Sequence, residues 1–203
     1  MATPLLEWHR DSKGYKTVPG RPPDPNSRTV FGSESQSMRI VPSGGDPIAY
    51  RPKLDRLFFK FAQVDTPTQL LLFVRRYGLL SRAWKERHAG DNVELTLDAA
   101  RQMKWLLDNG SEWRPTEPVY VARLEAWLSA EGLQIKPATL LGGLWMHAGL
   151  GVQRGSRLRQ CSLPACGKLF EAGPNSRPLR RGDATYCCKE HQEHHKSLRR
   201  SIP

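Results

Sequence analysis

The chain has 203 residues, of which 38 % are hydrophobic, and a formal net charge of +11 at pH 7. It contains no apolar run of about 18 residues, the length that a membrane-spanning helix needs. The N-terminal segment lacks the basic and apolar regions of a secretory signal. We therefore expect a cytoplasmic, bacterial-type protein of one medium domain or two small ones.

The positive charge is concentrated at the C-terminus. Residues 154–203 contain eleven Lys and Arg and four Asp and Glu, a net charge of +7, whereas the first 153 residues carry +4. A locally basic module is typical of proteins that bind nucleic acid or another polyanion. A basic surface that only keeps the protein soluble is the alternative.

Residues 1–52 are predicted to form a Pro/Gly-rich leader. Prolines make residues 19–26 incompatible with a helix. Residues 38–41 and 48–50 have the composition of two short strands, and the Pro-Ser-Gly-Gly-Asp segment at 42–46 suggests a turn between them. We expect a short β-hairpin here.

Residues 53–155 are predicted to form a helical domain. Leu54, Leu57, Phe58 and Phe61 fall on one helical face. The other predicted helices run from a Thr66 cap and Pro67 to Gly78, over 97–107, from Pro118 to 131, and over 138–152. The predicted fold class is mainly α, a small helical bundle followed by a zinc finger at 156–203.

No catalytic constellation is recognisable in the sequence. It has no nucleophile elbow, no phosphate-binding glycine loop and no HExxH pair. His147, which follows Trp145 and Met146, is predicted to be a packed core residue. We expect the protein not to be an enzyme.

The cysteines predict a metal site. All four lie within 28 residues, and the first 160 residues contain none. Disulfide frameworks staple secreted chains, whereas clustered cysteines beside a histidine in a reducing compartment indicate a metal. The cysteines are Cys161, Cys166, Cys187 and Cys188.

Zinc takes four Cys or His ligands, usually as two pairs that short backbone turns present. Cys161 and Cys166, followed by Gly167, make the first pair. Cys187 and His191, across a first helical turn, make the favoured second pair. The alternatives are Cys188 in place of Cys187, and His194 or His195 in place of His191.

The surrounding residues predict a treble-clef arrangement. Residues 168–170 would leave the first pair as a strand, residues 185–186 would return beside it, and a helix would follow. Such a module buries little, so one structural Zn²⁺ should contribute much of its folding free energy.

The motif Cys161-x4-Cys166-Gly167-x-Leu169-Phe170, with Arg180-Arg181 and an aromatic–cysteine pair, resembles the CGNR zinc-finger proteins of bacteria. In that family a helical ABATE-type domain precedes a C-terminal finger. The resemblance implies a transcription regulator that binds DNA through the finger. The sequence departs from the family at 189–192, where Lys-Glu-His-Gln stands in place of the Cys-Gly-Asn-Arg signature.

The predicted function is therefore a DNA-binding regulator with structural zinc, whose helical body senses a ligand or forms a homodimer. Basic residues at a helix C-terminus can also simply complement the helix dipole. A zinc-stapled protein-interaction module, similar to MYND-type fingers, is the alternative, and a metal-dependent nuclease suggested by His194-His195 is a distant third. The residues predicted to contact DNA are Arg177, Arg180, Arg181, Lys196, Arg199 and Arg200.

Overall fold

A computed structural model describes residues 8–20, 38–51, 54–81, 89–109, 124–129, 132–166, 168–173, 176 and 181–200. Within these ranges the strands are β1 Trp8–Asp11, β2 Tyr15–Val18, β3 Arg39–Pro42, β4 Pro47–Tyr50, β5 Asp91–Asn92, β6 Leu124–Ser129, β7 Gly132–Pro137, β8 Arg157–Gln160 and β9 Leu169–Ala172. The helices are α1 Leu54–Phe61, α2 Pro67–Tyr77, α3 Val93–Asn109, α4 Leu140–Gln153 and α5 Lys189–Arg200.

The described residues form a mixed α/β structure with four small antiparallel sheets, so the prediction of a mainly α helical bundle is wrong. The clearest difference lies in the predicted helix from Pro118 to 131. Its described part is β6, which pairs with β7 in the register Ser129↔Gly132 to Leu124↔Pro137. Apolar Leu124, Ala126 and Leu128 alternate with other residues, and this period of two fits a strand better than a helix.

The strands predicted around residues 38–50 are present, but they do not pair with each other. β4 pairs with β1 and β3 pairs with β2, so the predicted hairpin is wrong. Residues 43–46, which connect β3 to β4, lie opposite the turn at residues 12–14 that connects β1 to β2. The buried Asp11 carboxylate holds these two segments together, because it accepts hydrogen bonds from the amides of Lys13, Gly44 and Gly45 at 2.7–3.2 Å.

The first two helices follow the prediction closely. Leu54, Leu57, Phe58 and Phe61 of α1 are all buried. Thr66 caps α2, its hydroxyl accepting from the amide of Gln69 at 3.3 Å, and Pro67 is the first helical residue. Gly78 adopts φ +83° and ends the helix, a conformation that favours glycine.

The predicted helices at 97–107 and 138–152 are confirmed as α3 and α4, although α3 is longer. Asn92 caps α3 through a 3.0 Å hydrogen bond from the amide of Leu95. Thr139 caps α4 in the same way, accepting from the amide of Gly142 at 3.0 Å. Side-chain caps of this kind satisfy amides that have no partner within the helix.

The chain divides into two compact units, residues 1–102 with 115–147, and residues 103–114 with 148–203. The first unit buries a core that includes Tyr15, Ile40, Phe61, Leu70, Val74 and Leu80. The second unit contains a smaller cluster around the cysteines, formed by Cys161, Leu163, Phe170, Ala172 and Cys187.

In the first unit a buried carboxylate binds the segment that follows α2. Asp91 of β5 is 0 % exposed and accepts hydrogen bonds from the amides of Leu80 at 2.5 Å and Ser81 at 2.9 Å. The Ser81 hydroxyl donates a third at 2.6 Å. Several donors compensate the desolvation of this carboxylate. Its removal would therefore leave buried amides without a hydrogen-bond acceptor.

We expect Asp91→Ala to lower the free energy of unfolding by about 2–4 kcal/mol, because it leaves buried donors without an acceptor. The exposed Asp65 provides the control, and Asp65→Ala should change stability by less than about 0.5 kcal/mol. Urea unfolding followed by circular dichroism measures both. Equal stability of the two variants would contradict the role assigned to Asp91.

Candidate metal centre

The first cysteine pair lies at the end of a β-hairpin. β8 and β9 pair in the register Arg157↔Ala172 to Gln160↔Leu169, which places Cys161 directly after β8. The amide of Cys161 donates to the carbonyl of Lys168 at 2.9 Å, and that of Cys166 donates to Leu163 at 2.9 Å. The hairpin therefore continues into a tight turn that carries both thiols on one side.

The strand predicted at 168–170 exists as β9, but its predicted partner at 185–186 is wrong. The partner is β8, and the carbonyl of Thr185 instead accepts from the amide of Ser162 at 2.8 Å. The polar Arg-Leu-Arg-Gln sequence of β8 gave little apolar signal for a strand. Its alternation of a buried Leu158 with polar neighbours is the pattern that could have identified it.

The second pair lies at the start of α5. Cys188 immediately precedes the helix, and its carbonyl accepts from the amide of Gln192 at 3.3 Å, so Cys188 occupies the N-cap position. Cys187 stands one residue before this cap, and His191 lies in the first helical turn. The helix start thus presents Cys187 and His191 together toward the hairpin turn.

The four favoured side chains converge. The ligand atoms of Cys161, Cys166, Cys187 and His191 all lie within 4.8 Å of one another. Among the described residues, no other group of three or more Cys, His, Asp or Glu has this arrangement. This group could hold one metal ion.

The distances approximate the edges of a zinc tetrahedron. Bonds of about 2.3 Å to sulfur and about 2.0–2.1 Å to nitrogen imply edges of about 3.8 Å between sulfurs and about 3.6 Å between sulfur and nitrogen. The Sγ atoms of Cys166 and Cys187 are 3.8 Å apart, and Cys161 Sγ lies 3.6 Å from His191 Nδ1. The 3.2 Å between Cys187 Sγ and His191 Nδ1 is shorter than the ideal edge.

The alternative ligands lie outside this cluster. Cys188 Sγ is 4.0 Å from Cys187 Sγ, but Cys188 does not belong to the group of four. His194 is exposed. Nδ1 of His195 lies 2.8 Å from the hydroxyl oxygen of Tyr186, and the two rings are 5.4 Å apart. This contact joins α5 to the residue before Cys187, and the sequence analysis did not predict it. The signal that could have indicated it is the i, i+4 spacing of His191 and His195, which places both on one face of the helix.

The local electrostatics favour a cation. Burial opposes ionisation of Cys161, but the amides of Cys187 and Leu163 and the His191 ring together lower its pKa from 9.0 to about 6. Burial and the neighbouring thiols raise the pKa of Cys187 to about 12. A metal that binds these cysteines would therefore displace protons from them, because the thiolate is the form that ligates a metal.

The structure describes only some of the basic residues that are predicted to contact DNA. Arg181 is exposed and forms an ion pair with Asp183 at 2.9 Å. Lys196 is exposed on α5, and the backbone of Arg199 and Arg200 forms the last turn of that helix. Arg177 and Arg180, like Gly167 after the second cysteine, lie outside the described residues.

No family model, no curated protein and no solved structure matches this chain. In the part of the chain that the structure describes, no helix is long and apolar enough to cross a membrane.

We expect the protein purified without chelators to contain about one zinc per chain, and Cys187→Ser to lose it, because the variant removes one of four ligands. Cys188→Ser is the matched control: it makes the same chemical change at the adjacent residue and should retain the metal. Elemental analysis by mass spectrometry measures both. Zinc loss from Cys188→Ser alone would show that the ligand assignment is wrong.

Proposed function

We propose that this protein is a zinc-binding, DNA-binding transcription regulator in which the zinc is purely structural. The observation that carries the proposal is the group of three cysteines and one histidine whose last ligand, His191, lies in the first turn of α5. A metal bound there would hold a helix whose other end carries Arg199 and Arg200.

The donor set supports zinc. Three thiolates and an imidazole in a compact group are soft ligands, and this combination is typical of structural zinc sites. Four protein ligands leave no position for water or substrate, whereas catalytic zinc keeps one open. The nuclease alternative is therefore not proposed.

The charge of the second unit supports a polyanionic partner. Residues 154–203 carry a net charge of +7, and α5 exposes Gln192 and Lys196. Lysine and arginine side chains bind DNA mainly by neutralising phosphates and releasing counterions. The arginines in the last turn also complement the helix dipole, so folding and DNA binding favour the same residues there.

The resemblance to the bacterial CGNR zinc-finger proteins belongs to the same proposal. It rests on Cys161-x4-Cys166-Gly167 and on the position of the cluster near the C-terminus. In this proposal the residues before the finger sense an effector or form a homodimer, in the bacterial cytoplasm.

A protein-interaction module held by zinc is the second candidate. The observation that favours it is the acidic side of α5, where Glu190 and Glu193 add two carboxylates to the helix. Glu193 pairs with Lys189 at 3.6 Å, and Asp183 pairs with Arg181 in the preceding loop. These ion pairs reduce the positive charge that the finger offers to phosphates.

Fluorescence anisotropy with a labelled duplex of mixed sequence, at several salt concentrations, tests the proposal. We expect the zinc-loaded protein to bind, with an affinity that falls steeply as salt rises. Lys196→Ala should weaken binding to all sequences alike and reduce the salt slope by about one. Lys189→Ala removes the same charge from the same helix. Because Lys189 already pairs with Glu193, this variant should change binding less.

Absence of duplex binding at low salt would contradict DNA binding. Binding that Lys196→Ala and the double variant Arg199→Ala/Arg200→Ala leave unchanged would show that α5 is not the contact. Capture of a protein partner that is insensitive to nuclease would then favour the second candidate.

The structural role of the metal gives a separate prediction. Removing zinc with a strong chelator, or replacing Cys161 by Ser, should expose the backbone of residues 157–200 to hydrogen exchange, because the small cysteine cluster buries too little to fold alone. Peptides from α1 and α2 should keep their protection. Hydrogen exchange followed by mass spectrometry measures this, and a protected finger without metal would contradict it.

A further inference from the structure

Cys188 lies beside the candidate metal ligands without being one of them. Cys187, the residue before it, belongs to the group of four that could hold a metal ion, and Cys188 does not. Cys187 is buried, whereas Cys188 is half-buried and packs against the cysteine cluster. The Sγ atoms of the two residues are 4.0 Å apart, and both residues are in the reduced form. A thiol that ligates nothing therefore contacts a candidate ligand sulfur.

The start of α5 does not require a cysteine at this position. Cys188 occupies the N-cap, where Ser, Thr, Asp and Asn are preferred because their side-chain oxygens accept hydrogen bonds from helix amides. The hydrogen bond that Cys188 accepts from the amide of Gln192 uses its backbone carbonyl, which any residue offers. What a cysteine adds over a serine here is the reactivity of its sulfur.

The contact between the two sulfurs suits a reversible disulfide bond. A disulfide requires the sulfurs to approach to about 2.05 Å, so the side chains and the peptide between them must move to close the present 4.0 Å. The Cα atoms of adjacent residues are about 3.8 Å apart, which is below the usual range for a disulfide. Such a bond is strained, and strained disulfides are the ones that are readily reduced and often regulatory.

Cys166 is the competing partner, since its Sγ lies 3.8 Å from that of Cys187. In the metal-loaded centre both of these sulfurs would bind the ion, which would hold them at two corners of its tetrahedron. Cys188 has no such bond to a metal, so its sulfur stays available to an oxidant. Solvent also reaches half-buried Cys188 more readily than buried Cys187. Both differences favour Cys188 as the first sulfur to be oxidised.

We propose that Cys188 is an oxidation site, at which hydrogen peroxide joins it to Cys187 in a disulfide bond and so removes a ligand from the metal centre. This inference rests on the proposed function only for the presence of zinc. The thiol beside the structural zinc makes the order of the finger responsive to oxidants.

The reaction has two balanced steps. In the first, the Cys188 sulfur attacks one oxygen of hydrogen peroxide, the O–O bond breaks, and a sulfenic acid and one water molecule form. In the second, the Cys187 thiolate attacks the Cys188 sulfur, the S–O bond breaks, and the leaving hydroxide takes up a proton from solvent to give a second water molecule. The two sulfurs lose two electrons, which the peroxide gains. Zinc then keeps only three protein ligands and leaves.

The test treats the zinc-loaded full chain with a small molar excess of hydrogen peroxide. A metal-binding dye records zinc release. Alkylation of the remaining thiols, trypsin digestion and mass spectrometry locate the disulfide. Trypsin cleaves after Lys and Arg, so Cys187 and Cys188 share the peptide 182–189, whereas Cys161 and Cys166 share the peptide 160–168.

We expect the peptide 182–189 to be recovered without alkylation, lighter than its reduced form by two hydrogen atoms and linked to no other peptide. Zinc release should follow the appearance of this peptide, and dithiothreitol with added zinc should reverse both. Removing zinc with a chelator in the absence of peroxide is the control, and it should leave all four cysteines open to alkylation.

Cys188→Ser separates the oxidation site from the ligands. The variant keeps the four candidate ligands and a preferred N-cap residue, so it should bind zinc as the wild type does. Under peroxide it should release zinc several-fold more slowly, because the adjacent sulfur that captures Cys187 is absent.

Three outcomes would overturn the inference. The first is a link between the peptides 160–168 and 182–189 with Cys188 alkylated, which would show that a ligand cysteine is the partner. The second is zinc release at the same rate from the wild type and from Cys188→Ser. The third is complete alkylation after peroxide treatment, because Cys188 would then only pack against the cluster. Protein that contains no zinc would contradict the proposed function instead, and the unlinked, lighter peptide 182–189 would still establish the oxidation site.

Discussion

The finger depends on the convergence of three thiols and one imidazole within 4.8 Å. Burial and the neighbouring thiols raise the pKa of Cys187 to about 12, so a metal ion that binds these cysteines would displace protons from them. A metal ion bound by these four side chains would join the β8–β9 turn to the start of α5. Since the surrounding cluster is small, the same ion would decide both the order of the finger and the orientation of its helix.

The first unit satisfies buried negative charge in a different way. Asp91 and Asp11 are both buried, and each accepts several hydrogen bonds from backbone amides, so neither needs a cation. Both carboxylates lie where a strand ends or breaks, and they use amides that no strand partner takes. The first unit therefore stabilises these carboxylates mainly with backbone amides, whereas the cysteine cluster could use a metal ion from solution.

Local signals explain which elements the sequence predicts well. A Thr66 cap, Pro67 and Gly78 define α2 within a few residues, and the Cys and His spacing identifies the four side chains that converge. Strand pairing is not local, and so the partners of β3, β4 and β9 were predicted wrongly. The apolar residues at 124–129 alternate, which fits a strand better than a helix, and the segment pairs with β7. These strands are why the fold is mixed α/β.

The distribution of charge in the second unit bears on how it would meet a nucleic acid. Ion pairs engage Lys189 with Glu193 and Arg181 with Asp183, so the count of eleven basic residues overstates the charge offered to phosphates. Lys196 and the arginines of the last helical turn lie at the end of α5 farther from the metal ligands. Arg159 of β8 donates a hydrogen bond to the carbonyl of Gly182, in the loop that precedes α5. A metal ion that joined α5 to the hairpin would therefore also set the position of the C-terminal basic residues relative to Arg159.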